Sequence, residues 1–302
     1  MVSLSDEPIE VDRLSSGVLA VDEALNGGFP IGKLVEMFGS AGGGKSSIAL
    51  RAVAEAQKRG KCVFVDAENA LDPFKAENSG INMNDLLVSQ LSSLEKVLEV
   101  IELCVAADDV SLVVVDSVAA LTPEAEIQGE FGDAHVGLVG RLMSQGLRKI
   151  NQTMVETKSR AVVIFINQVR DNIGVMGFGP KTTTPGGKAL RFWCSTRLEV
   201  TRTGALKQGD AVIGQSVRVK VAKSRFSQPF RQATFEINYE TGISNEATLL
   251  DNALNAGFIK QSKSWFKDPK SDKSYANGRP KMVEYLRENK EFADNLREML
   301  QP

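Results

Sequence analysis

Histidine is nearly absent from this chain, with one, His135, in 302 residues. That excludes a histidine-rich zinc site and disfavours a histidine-based nucleophile triad, so any metal used should be magnesium. Three cysteines, Cys62, Cys104 and Cys194, lie far apart, with no Cys-x-x-Cys and with apolar neighbours such as Val63 and Phe64. They are expected to be reduced core residues, not a disulfide framework. No apolar run approaches the ~20 residues needed to span a bilayer. The acidic start, Met1 to Glu10, also lacks the basic-then-apolar order of a signal peptide. A cytoplasmic protein with no membrane partner is expected.

Hydrophobic residues at 42% and charged residues at 25% are the values of an ordinary globular protein with a proper core. The length allows one large α/β domain and a small appendage. The net charge of −2 hides an asymmetry. Residues 1–180 carry 15 Lys/Arg against 25 Asp/Glu, whereas residues 181–231 carry 11 against 2. A basic block of that size asks for an anionic partner, and a surface for a phosphate backbone stands beside the plainer reading of a solvated basic face.

Along the chain, apolar strands alternate with amphipathic helices. Lys33 to Phe38, Cys62 to Asp66, Leu112 to Asp116 and Ala161 to Ile166 read as strands. Ser46 to Arg59, Leu94 to Ala107 and Gly137 to Lys158 read as helices, the last with Leu138, Leu142, Leu147, Ile150 and Met154 on one face. Continuous apolar strands separated by helices predict an α/β fold with a mostly parallel sheet covered on both faces. After residue 188 the runs Ala189 to Thr203, Val212 to Val221 and Gln232 to Tyr239 read as further, antiparallel strands. From about Asn245 the chain becomes helical and polar, with helices at Leu249 to Ala256 and Pro280 to Leu300 around a Lys/Asp/Ser-rich loop at 267–278. The expected division is a lead-in at 1–32, a core at 33–244 and a small α+β domain at 245–302.

Gly39, Ser40, Ala41, Gly42, Gly43, Gly44, Lys45 and Ser46 fit G-x-x-x-x-G-K-[ST] between a strand and a helix, which is the context that gives the motif meaning. Glycines let the backbone N–H groups wrap a phosphate, and the helix that follows adds favourable potential. A nucleoside triphosphate is therefore expected, with Lys45 on its β- and γ-phosphates and the Ser46 hydroxyl on magnesium. Asp116, ending an apolar strand, is the expected partner of that ion. Glu68 lies just past the strand ending at Asp66, where it can polarise an attacking water; spacing alone does not separate it from Asp66.

At this point the chain resembles the bacterial RecA-type recombinases. The resemblance rests on Phe64-Val-Asp-Ala-Glu-Asn-Ala-Leu-Asp-Pro73, Val114-Val-Asp-Ser-Val-Ala-Ala-Leu-Thr-Pro123, Phe165-Ile-Asn-Gln-Val-Arg170 and Ile173-Gly-Val-Met176, with Thr182 to Thr184 and Gly186-Gly187. It runs from about Val11 to Leu300. It implies a P-loop ATPase core, ATP and Mg2+, and a filament that coats single-stranded DNA, pairs it with homologous duplex and exchanges strands. By matching position it implies Glu68 as catalytic carboxylate and Gln168 as γ-phosphate sensor. Lys223 and Arg225 would reach the neighbouring subunit's γ-phosphate, and Ser47, Asp72 and Tyr239 would help hold the nucleotide. It implies DNA-binding loops near 128–137, which contains His135, and 168–188. The DNA contacts would come from Arg141, Gln168, Arg170, Asn172, Gly174, Val175, Met176, Thr182, Thr183, Gly186, Gly187 and Lys188.

Departures from the family pattern carry expectations of their own. Only about ten residues precede the core, where the family has a docking helix and strand, which implies weaker or differently arranged assembly. Lys75 stands where an aromatic usually packs on adenine, leaving stacking to Tyr239 or Phe74. Asp171 and Asn172 reduce the positive charge of the second loop, Pro185 interrupts its Thr-to-Gly-Gly run, and no acidic C-terminal tail is evident. Three rivals share the first loop: a hexameric helicase-like motor, a regulatory recombinase paralogue, and a small-molecule kinase. The paired loops and interface basics argue against the first two, and the basic block after residue 181 against the third.

Overall fold

A computed structural model describes residues 11–130, 137–171 and 182–300. They divide into two units, Met1–Arg202 with Val217–Ala233, and Thr203–Ser216 with Thr234–Pro302.

The first unit is built on parallel strands whose interior residues are mostly apolar, with Glu36 and Asn167 buried among them. They are β1 (Leu34–Gly39), β2 (Lys61–Asp66), β3 (Leu86–Ser89), β4 (Val110–Asp116) and β5 (Val162–Gln168). A longer strand, β6 (Thr196–Gln208), pairs with β1 in parallel, and the neighbours run β6-β1-β5-β4-β2-β3. Helix α1 (Lys45–Ala56) follows β1 directly, so the glycine-rich segment is the strand-to-helix turn. Helices α2 (Leu94–Ala106) and α3 (Leu138–Glu156) pack together on the sheet. The inward stripe of α3 is Met143, Leu147, Ile150 and Met154. Met143 takes the inward place expected of Leu142, which keeps the i, i+4, i+7, i+11 spacing regular. A Cβ on Gly146 would lie 2.6 Å from the Leu98 side chain, so glycine sets how closely α3 approaches α2.

Within Ala189 to Thr203, where the sequence reads as one strand, residues Ala189–Trp193 form a short helix and the strand starts only at Thr196. Lys188 is the N-cap, and the Cys194 N–H donates to the Leu190 carbonyl at the helix end. Strand propensity loses here to burial of Ala189 and Leu190 in the core that α3 builds.

The second unit takes the far part of β6 and of β7 (Ala211–Ser224), joined by the Gly209–Asp210 turn, with β8 (Gln232–Asn238) and β9 (Gly242–Ser244). A two-residue link between neighbouring strands makes the β6–β7 pair antiparallel, and β8 and β9 also pair antiparallel. Helix α4 (Asn245–Asn255) is capped by Ser244, whose Oγ accepts from the Ala247 N–H at 3.2 Å. Next comes a three-stranded antiparallel sheet, Lys260–Ser262, Trp265–Lys267 and Ser274–Asn277, so part of the expected 267–278 loop is strand. The expected helix Pro280 to Leu300 is two, α5 (Arg279–Glu288) and α6 (Lys290–Met299), broken at Asn289 (φ −103°, ψ 72°). The break lets Phe292 turn onto Tyr275 and Tyr285, with ring centroids 4.9 and 5.9 Å apart. No helix among the described residues is long and apolar enough to cross a membrane.

Candidate nucleotide site

Strand register assembles the site. Gly39, the last residue of β1, stands opposite Gln168, the last of β5, and Asp66, the last of β2, stands opposite Asp116, the last of β4. These four positions thus share the carboxyl edge of one parallel sheet, the edge at which such sheets bind ligands. The turn that follows β1 needs its glycines. A Cβ on Gly39 would lie 2.0 Å from the Val200 carbonyl oxygen, and Gly44 caps α1 at φ +97°. Ser40, Ala41 and Gly42 are exposed around the mouth of the turn, and Gly43 is buried against the Ser40 and Val200 carbonyls.

Lys45 is buried, and its Nζ donates to the carbonyls of Gly39 at 3.0 Å and Ser40 at 2.8 Å. Burial lowers its pKa, against the pull of the Asp116 and Glu68 carboxylates. The Ser46 hydroxyl donates to Asp116 Oδ2 at 2.6 Å, so the two expected magnesium ligands already touch. The Ser47 side chain lines the same cavity, with Leu50, Phe64, Glu68 and Leu71.

Asp66 and Glu68 differ in their partners. Both Asp66 oxygens are taken by backbone N–H groups, of Ala70 and Leu71, each at 3.0 Å, and the residue is 3% exposed. Asp66 holds the turn in place. Glu68 is exposed, and its Oε1 accepts from Gln168 Nε2 at 2.7 Å and from the Ser117 hydroxyl. Ser117 is a contact that the spacing did not single out; it follows the Asp116–Ser117 peptide, which is cis. The only sequence signal for it was its place next to Asp116.

Asp72 lines the cavity and caps the helix Pro73–Asn78, with Oδ1 accepting from Phe74 N–H at 3.0 Å. Its partner is Lys75, 3.7 Å from Oδ2. Phe74 is 64% exposed and is not among the cavity residues. Tyr239 belongs to the second unit, where it is about half exposed. Lys223 and Arg225 do not line the cavity of their own chain. Lys223 Nζ donates to the Arg191 and Phe192 carbonyls at 2.8 and 3.1 Å, and burial, then Arg225, lowers its pKa. Arg225 is exposed.

Of the expected DNA contacts, Arg141 is exposed in the first turn of α3. Arg170 and Asp171 pair antiparallel with Thr183 and Thr182, so the two ends of the 168–188 loop form a short ribbon. Gly186 (φ +83°) is buried, while Gly187 (φ +68°) and Lys188 are exposed. Asn172, Gly174, Val175 and Met176, and His135 in the other loop, lie outside the described residues.

The lining fits a magnesium triphosphate. A glycine-rich turn with no room for a Cβ at Gly39, a lysine turned onto the loop's own carbonyls and a Ser–Asp pair form the donor set such a ligand needs. The chain's first 244 residues match the family model described as "RecA N-terminal domain". It is 47% identical over 298 residues to "Protein RecA" of Zymomonas mobilis, covering 98% of this chain and 83% of that protein. It is 46% identical over 290 residues to "Protein RecA" of Caldanaerobacter subterraneus, covering 95% and 83%. To "Protein RecA 2" of Myxococcus xanthus it is 47% identical over 296 residues, covering 97% and 81%.

Proposed function

We propose individual residue roles from one premise: the chain belongs to the RecA family, and it is a DNA-dependent ATPase that promotes homologous pairing and strand exchange. The substrate is ATP, held with Mg2+ by the glycine turn, Lys45 and the Ser46–Asp116 pair. Bound magnesium supplies charge neutralisation and orientation of the phosphates. Lys45 exchanges its two carbonyl partners for phosphate oxygens. Glu68 orients and deprotonates the attacking water. In this structure Gln168 occupies Glu68 Oε1. A γ-phosphate that draws the Gln168 amide away frees the carboxylate for water and shifts the strand leading into the 168–188 loop. That hydrogen bond is the observation that carries the reading, because it joins the hydrolytic residue to the DNA-binding segment directly.

The cavity lining holds four carboxylates, Asp66, Glu68, Asp72 and Asp116, and one ammonium, Lys75. Beyond Lys45 and magnesium, an ATP bound there needs further cations, which supports Lys223 and Arg225 acting on the next subunit's nucleotide in a filament on single-stranded DNA. The test is ATP hydrolysis with and without single-stranded DNA, alongside electron microscopy. DNA should stimulate hydrolysis and yield helical filaments, and Glu68→Gln should lower turnover about 10²–10⁴-fold while ATP still binds. No stimulation and no filaments would leave a nucleotide-binding paralogue.

A further inference from the structure

We propose that Asn167 is a positioning residue that couples Gln168 to the turn Pro185–Lys188. Asn167 is fully buried beside Gln168 at the end of β5. Its amide joins three partners from separate parts of the chain. Nδ2 donates to the Pro185 carbonyl at 3.0 Å and to Glu36 Oε1 at 3.2 Å, and Oδ1 accepts from the Gln168 N–H at 3.0 Å. The orientation is chemically fixed, because Glu36 and the Pro185 carbonyl are acceptors and the Gln168 N–H is a donor. Only an amide of this length satisfies all three.

The anchor of this arrangement is stiff. Glu36 is itself fully buried and accepts from Arg197 Nε. The Arg197 guanidinium lies over the Phe38 ring, 4.4 Å from its centroid. Glu36 and Phe38 both belong to β1, the strand that delivers the phosphate turn. Asn167 is therefore referenced to the nucleotide strand, while its remaining donor holds the Pro185 carbonyl, 18 residues along the chain. Gly186 and Gly187 follow in the left-handed region, where another residue would be strained. Their Cβ positions face Val118, two residues past Asp116, at 3.4 Å, and Gly140 of α3 at 3.5 Å. A shift of the Gln168 backbone breaks or drags the Asn167 amide, and the turn carrying Gly186, Gly187 and Lys188 must follow. The Asn167 side chain is then the mechanical link between phosphate state and the end of the DNA loop.

This rests on the reading that Gln168 senses the γ-phosphate and that the turn contacts DNA. The experiment measures the affinity of a fluorescent oligothymidylate with and without a magnesium-bound, non-hydrolysable ATP analogue, and of the analogue with and without the oligonucleotide. Linkage makes the two ratios equal. A wild-type ratio near one would overturn the underlying reading. With coupling present in the wild type, Asn167→Ala should reduce both ratios at least about tenfold, equally, while the DNA-free affinity for the analogue stays within about threefold. A packing defect alone would instead weaken the binding of the analogue or of the oligonucleotide taken singly and leave the ratio in place. Coupling within twofold of wild type in a folded Asn167→Ala protein would overturn the proposal. So would loss of analogue binding without DNA, since the residue would then belong to the nucleotide site itself. Should the variant not fold, hydrogen exchange on the wild type decides: protection at Gly186 and Gly187 should change when the analogue is added without DNA, and unchanged protection counts against the link.

Discussion

Burial raises the pKa of Asp116; the hydrogen bond from Ser46 opposes the shift, the charge of Glu68 adds to it, and Lys45 counters again. The folded chain thus keeps the Asp116 proton to a higher pH than the unfolded chain does. As pH rises through that window the unfolded state releases its proton first, so stability falls. Asp116→Asn removes this penalty and keeps an acceptor for Ser46. Without nucleotide or metal, the variant should be more stable than wild type to urea at neutral pH, with the advantage fading in acid where Asp116 is protonated. Magnesium-dependent hydrolysis should be lost. A variant less stable at neutral pH would show that Asp116 contributes more to the fold than burial costs. The same scale separates Asp66 from Glu68. Their spacing does not separate them in the sequence, and only the turn at Ala70 and Leu71, which claims both Asp66 oxygens, tells their surroundings apart.

Elements carry the geometry. The site exists because parallel register sets Gly39 level with Gln168 and Asp66 level with Asp116. Apolar strands and the glycine turn were legible, since a covered parallel strand must be apolar and a phosphate turn must have glycines. The order of the strands was not, because every apolar run fits any interior place. Ala189–Trp193 was likewise hidden, as burial of Ala189 and Leu190 overrides local propensity there, and one Asn289 between two helical runs did not mark the break. Ser93 caps α2 by accepting the Lys96 N–H at 3.3 Å and also donates to Glu124. Ser93→Ala should cost about 1 kcal/mol in urea unfolding while ATP affinity is unchanged. At the other end of the scale Gly39→Ala, which sets a methyl 2.0 Å from the Val200 carbonyl, should leave little folded protein that binds ATP.

At the scale of the whole molecule the charge asymmetry bears on the proposed assembly. Residues 1–180 carry the excess of acid, including the carboxylates around the nucleotide, and residues 181–231 carry the excess of base, including Lys223 and Arg225. A chain that separates its cations from its own acidic cavity is suited to head-to-tail assembly, in which each subunit completes the next. Lys45→Ala and Lys223→Ala should each be inactive with DNA. Mixed in equal amounts, they should recover about a quarter of the wild-type sites, since one junction in four pairs an intact turn with intact basics. Activity no higher than that of either variant alone would argue that Lys223 acts within its own chain.

The sequence by itself determined the phosphate turn, the alternation of strands and helices, and the family, because each depends on residue type at fixed local spacing. What the tertiary structure decided was which strand ends meet, which carboxylate the turn at Ala70 and Leu71 claims, and which buried amide bonds both Gln168 and Pro185. Those depend on pairings across tens of residues, where hydrogen bonds between distant segments are chosen by packing and leave no local pattern to read.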